Sequence, residues 1–233
     1  MSRLLCFGDS FTFGHGLSDA AWQNETDAVD EPSKLAYPSL LGRIMDLEVF
    51  NAGSPGASNK EIWDTILRTK FTRDDRVCIM WSHTHRTCKI NEWPQPVADD
   101  SFVWEPRTSG NYNINTIKAL GNWMTEDKTA MSYYEHVYEE VDAELTTLLY
   151  ANHIESYLRP RITNLLHAVI PNSQLNSPKD KPNNHVPEWD TVYRKIFDTT
   201  SIYEYCPKTD CGHFGSEAHQ KVANLLHARM LHS

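Results

Sequence analysis

The sequence has no run of lysine and arginine. Its 22 basic residues are outnumbered by 31 acidic ones, for a formal net charge of −9 and a pI near 5.6. A nucleic-acid binder carries a basic face, and an anionic membrane surface recruits basic clusters, so the charge argues against both partners. Long apolar runs are missing as well: no window approaches the ~20 apolar residues of a membrane span. The opening "MSRLLCFGDS" lacks the apolar core and small-residue cleavage site of a secretory signal. The expectation is a soluble, cytoplasmic protein of the kind that phages and bacteria carry. Cysteine is scarce and odd in number: Cys6, Cys78, Cys88, Cys206 and Cys211. Cys6 and Cys78 sit in apolar runs and read as small buried hydrophobes, and the set reads as reduced thiols, although Cys206 and Cys211 lie close enough to touch. With no internal repeat and no linker, residues 1–233 read as one domain, long enough to bury a core without disulfide or metal staples.

What is present is an alternation of strand-like and helix-like segments. "RLLCF", Arg3 to Phe7, reads as a buried strand ending at glycine. "YPSLLGRIMD", Tyr37 to Asp46, has helical spacing and an early proline, and "LEVFNAG", Leu47 to Gly53, reads as a second strand. "SNKEIWDTILRTK", Ser58 to Lys70, opens with a serine followed three residues on by Glu61, a capping-box pattern, and "RVCIMWS", Arg76 to Ser82, is a third strand. Lys128 to Leu158 carries one long helix or two abutting ones, Asn164 to Ile170 a further strand, and Gly215 to Leu231 a closing helix. Strands alternating with helices predict a three-layer α/β/α domain around a mostly parallel sheet. The period breaks at residues 87–127, a long excursion rich in Pro, Asn, Asp and Trp.

The chemistry gathers at the two ends. Ser10, in "FGDSFTFG", stands just past the first strand, at the ligand-facing edge of a parallel sheet. Backbone N–H groups there are unpaired and favour negative charge, as a serine nucleophile needs when its attack creates an oxyanion. A serine at this place serves equally as a plain N-cap. Near the other terminus, Asp210 and His213 in "TDCGHF" are spaced so that one turn presents both: His213 to take the Ser10 proton, Asp210 to orient the ring. Between them, "NAGSPGASN" follows the second strand, and Gly53 and Gly56 allow a bare N–H to approach a ligand, or simply a tight strand-to-helix turn.

These stretches resemble the SGNH (GDSL) hydrolase family. "FGDSFTFG", "NAGSPGAS" and "DCGHF" match its first, second and last blocks in order. The resemblance implies a flavodoxin-like strand order, a shallow site and a serine esterase that needs no metal or other cofactor. It assigns Ser10, Asp210 and His213 as catalytic, and the N–H groups of Ser10 and Gly53 as oxyanion donors. One block departs. Where the family usually reads Gly-x-Asn-Asp after the third strand, this chain has "SHTHR", with Ser82 at the glycine and Thr84 at the asparagine, so Thr84 is the third donor by position only. Asp9, Trp81, His83, Trp93 and Trp104 are the candidate substrate contacts. The expected reaction is hydrolysis of a small acyl ester, an O-acetyl group on a small molecule or a glycan, through an acyl-serine. Two rivals stand beside it: a binding protein that keeps the fold without turnover, favoured by the altered block, and a metal-dependent hydrolase using His83, His85, Asp210 and His213. Cys206, Cys211 and His213 make a poorer zinc set, lacking a fourth ligand.

Overall fold

A computed structural model of the chain describes residues 2–20, 31–90, 117–170, 196–198, 207–209 and 212–231. Thirteen elements follow in order: β1 (Arg3–Gly8), α1 (Ser10–Phe13), α2 (Tyr37–Met45), β2 (Glu48–Gly53), α3 (Asn59–Arg68), β3 (Arg76–Trp81), β4 (Thr87–Ile90), β5 (Ile117–Leu120), α4 (Lys128–His136), α5 (Glu140–Leu158), β6 (Asn164–Val169), β7 (Ile196–Asp198) and α6 (Ser216–Met230). The main sheet has the order β2–β1–β3–β6–β7 with every pair parallel. That is the flavodoxin-like order, in which the chain leaves β1 and β3 toward opposite faces and opens a crevice at their carboxyl ends.

The two-residue period of the strands divides the core into two layers. Leu5 and Phe7 of β1, Val77, Ile79 and Trp81 of β3, and Leu165 of β6 pack against Ile62 and Ile66 of α3 and Ile154 and Leu158 of α5. Their alternates Leu4, Cys6, Cys78, Met80, Leu166 and Ala168 pack against Tyr37 and Leu41 of α2 and Val222 and Leu226 of α6. Cys6 and Cys78 are buried and free. Ser58 caps α3 by accepting from the Glu61 N–H at 3.3 Å, as its spacing predicts.

Of the two alternatives for Lys128 to Leu158, the structure has two helices, with α4 closing at Val137 and α5 beginning at Glu140. One feature differs from the sequence reading. The excursion is not irregular at its ends: β4 and β5 pair antiparallel, Thr87 opposite Leu120 and Ile90 opposite Ile117. A four-residue strand whose partner is distant in sequence carries no local period that could announce it. Trp93 and Trp104, together with Asp210, Cys206 and Cys211, lie outside the described residues. Among the described residues no helix is long and apolar enough to cross a membrane.

Candidate active site

Ser10 is the first residue of α1, directly after β1, in the crevice where the strand order reverses. Asp9 caps the helix, its Oδ1 accepting from the Phe11 N–H at 3.0 Å. At the other end Gly14 turns the chain in the left-handed region (φ 87), donating to the carbonyls of Ser10 and Phe11. A side chain at Gly14 would overlap Ser33 and Ala36.

His213 arrives from the last connection. Thr209 and His213 close a tight turn, the Thr209 N–H and hydroxyl both donating to the His213 carbonyl at 2.6 and 3.0 Å, and Lys208 bridges Phe214. His213 Nε2 then lies 3.1 Å from Ser10 Oγ across 203 residues of sequence. The residues next to each explain how they meet. Phe11, beside Ser10, packs edge-on against Phe214, beside His213 (centroids 6.0 Å, 85°), and stacks on His219 of α6 (4.3 Å, 14°). This aromatic contact holds the C-terminal turn against α1, and the geometry lets a proton pass from Ser10 to His213.

Three of the site assignments need correction. The Gly53 N–H is not an open donor: it donates to Asn51 Oδ1 at 2.9 Å. Asn51 also donates through Nδ2 to the Thr12 carbonyl at 2.8 Å, so this pair braces β2 against α1. Gly53 is glycine for packing, since a Cβ there would overlap the backbone of Thr12 and Phe13. Trp81 is no substrate contact. It is 0% exposed within the core, and its indole N–H donates to His167 Nδ1 at 3.0 Å, while His167 Nε2 faces Glu155 at 3.2 Å. Asp9 is 1% exposed with both carboxylate oxygens engaged inside the protein, Oδ2 accepting from the Ser82 hydroxyl at 2.7 Å and from Arg86 Nη1 at 2.8 Å. It shapes the site from beneath.

Thr84 is buried in the turn after β3. His83 is half-buried and stacks on His85 at 5.1 Å and 25°; burial, with the neighbouring Arg86 charge, lowers the His85 pKa. Among the described residues no group of three or more His, Cys, Asp or Glu side chains is placed to hold a metal ion.

His15 escaped the sequence reading. Its ring packs on His213 (4.6 Å, 51°), and burial, then the nearby His213, lower its pKa to about 4. It therefore stays neutral at ordinary pH and adds no second positive charge beside His213. The only signal in the sequence is its place between two glycines of positive φ, Gly14 and Gly16.

No protein-family model matches the sequence, and no curated protein matches it. Solved structures do match its shape. An acetyl xylan esterase (Est2A) from the rumen bacterium Butyrivibrio proteoclasticus superposes with a TM-score of 0.50 at 12% identity, over 99% of this chain and 63% of that one. A lipolytic protein of the G-D-S-L family from Desulfitobacterium hafniense gives 0.45 at 11%, over 97% and 98%. The fold is one that Est2A shares: helices on both faces of a parallel five-stranded sheet. Axe2, an acetylxylan esterase from Geobacillus stearothermophilus, matches over 98% of this chain and 93% of its own at 13% identity and a TM-score of 0.45. At 12% identity the likeness to Est2A is one of fold alone. On this fold the chain places a serine directly after β1 and a histidine before the last helix, and Ser82 and Arg86, in the turn after β3, both bond Asp9.

Proposed function

We propose that the protein is a serine ester hydrolase. The observation that carries this reading is the 3.1 Å approach of His213 Nε2 to Ser10 Oγ, at the first position of a helix in the crevice of the sheet. Ser10 Oγ attacks the ester carbonyl and its proton passes to His213. The tetrahedral intermediate collapses, the C–O bond to the alcohol breaks, and His213 protonates the departing oxygen. Water, deprotonated by His213, then attacks the acyl-serine and releases the acid. Asp210, three residues before His213, is assigned to orient the imidazole and stabilise its charged form.

The oxyanion falls to backbone N–H groups. Ser10 is at the first helical position, where the N–H has no intrahelical acceptor. With Gly53 committed to Asn51, the second donor moves along the same loop to Gly56, whose N–H has no hydrogen bond to another described residue. The loop begins beside the nucleophile, because the Ser54 N–H bonds the Gly8 carbonyl at 3.1 Å. Thr84 is retained as a third donor by position alone.

For substrate we propose a small acyl ester, an O-acetyl group borne by carbohydrate. Trp123, 48% exposed beside the turn that carries Arg86, offers an aromatic face of the kind that sugars stack on. Est2A, which shares the fold, is named for such an ester. Hydrolysis of a short aryl acetate in the presence and absence of EDTA tests the mechanism. Equal rates are expected. Loss of activity on chelation would favour the metal-dependent reading through His83, His85, Asp210 and His213.

A further inference from the structure

We propose that Arg86 is a positioning residue for the nucleophile, acting by neutralising the Asp9 carboxylate beneath α1; this rests on the esterase reading above. Asp9 immediately precedes Ser10 and is buried. Its carboxylate caps the helix through the Phe11 N–H, and so sets a negative charge at the same helix start where Ser10 must attack and its N–H must hold an oxyanion. Like charges in a poorly solvated site repel strongly, so an uncompensated carboxylate here opposes both events. Arg86 supplies the compensation: Nη1 donates to Asp9 Oδ2 at 2.8 Å and to the Ser82 hydroxyl at 3.2 Å, and that hydroxyl itself donates to Oδ2 at 2.7 Å.

The turn that carries the cation is braced, and the guanidinium is held through Nη1, while its buried Nε has no hydrogen-bond partner among the described residues. The Ser82 backbone is clamped by Asn59, its N–H donating to Oδ1 at 2.6 Å and its carbonyl accepting from Nδ2 at 3.0 Å. The Arg86 N–H closes the turn on the His83 carbonyl at 3.2 Å, and the Tyr134 hydroxyl of α4 faces the carbonyls of His85 and Leu120 at 2.5 and 3.0 Å. The guanidinium lies 5.0 Å from the centre of the Trp123 ring, which covers it. Ser82 stands at the first position of the altered third block, and Arg86 directly follows the block's last position, His85. Both reach Asp9, and Arg86 acts through it without touching substrate.

Four proteins test this with an aryl acetate: wild type, Arg86→Ala, Arg86→Lys and the double variant Asp9→Asn/Arg86→Ala, each with its thermal midpoint. Asparagine caps a helix about as well as aspartate but brings no charge. Arg86→Ala is expected to lower kcat by ~10²-fold, on the scale of losing one oxyanion contact, with KM nearly unchanged, and Arg86→Lys to recover part of it. The double variant is expected to exceed Arg86→Ala by at least ~10-fold, because no carboxylate is left to neutralise. Should Arg86→Ala not fold, the double variant decides alone: folded with at least about a tenth of wild-type kcat supports the proposal, and anything less overturns it. Wild-type kcat in Arg86→Ala, or a double variant no better than the single one, also overturns it. An inactive wild type would defeat the esterase reading and this proposal together, whereas an active wild type with an indifferent Arg86 defeats only the proposal.

Discussion

Ser10→Ala is expected to lower ester turnover by ~10⁴-fold or more and to leave the fold in place. The reason is a division of labour within α1. The helix is capped by Asp9, not by Ser10, and the Ser10 carbonyl, which receives the N–H groups of Gly14 at 3.0 Å and His15 at 2.9 Å, survives the substitution. Only the contact between Oγ and His213 disappears, which is worth about 1 kcal/mol of net stability. Chemistry loses much more, because Oγ is the atom that forms the acyl bond. Steady-state rates with an aryl acetate, set beside thermal midpoints, check both halves. A loss below tenfold, or a collapse of the midpoint, would mean that Ser10 serves as a structural cap.

Stability is expected to fall as pH drops from about 6 to 4, and His219 is the main cause. Its ring is 1% exposed, its Nδ1 accepts the Tyr37 N–H at 3.0 Å, and it stacks on Phe11. Burial, then the nearby His213, lower its pKa to about 3, with Asp19 pulling weakly the other way. Protonation would place a hydrogen on Nδ1 against the Tyr37 N–H. The unfolded chain, with an ordinary histidine pKa near 6.5, takes up the proton first, so acid stabilises the unfolded state throughout that window. By pH 4 the effect is on the order of 3 kcal/mol, a large part of a typical domain's stability. His15, held at about 4, adds in the same direction. Thermal midpoints from pH 8 to 4 should therefore fall steeply below pH 6. His219→Gln should start lower, having lost the stacking on Phe11, yet depend less on pH. An equal slope in that variant would assign the acid sensitivity elsewhere.

The central strands are legible because β1, β3 and β6 are buried along nearly their whole length and mostly apolar, and the helices between the strands carry start signals, as at Pro38 and Ser58. The pairing of Ser10 with His213 was legible for a similar reason: both stand at ends of elements that the topology brings to one edge. Other features depend on contacts that no local pattern encodes. β7 is three residues long, and β4 finds β5 only through the fold. Gly53 looked like a donor to a ligand because glycine after a strand permits either role, and the competing acceptor is the side chain of Asn51 two residues earlier. Trp81 looked like a cleft aromatic because it ends a strand. Its direction along the pleat sends it instead to the layer of α3 and α5, where His167 receives its N–H. Arg86 carries no local signal of its role, since its partner Asp9 lies 77 positions away in sequence.

The account turns on Ser10 being a nucleophile that His213 activates, and covalent labelling measures this most directly. A fluorophosphonate placed in the site should lose fluoride to attack by Ser10 Oγ. Intact-mass analysis is expected to show one phosphonyl adduct, and peptide mapping to place it on Ser10, with no adduct in Ser10→Ala. No adduct on the folded wild-type protein, or one on another residue, would contradict the account and leave the binding-protein reading in its place.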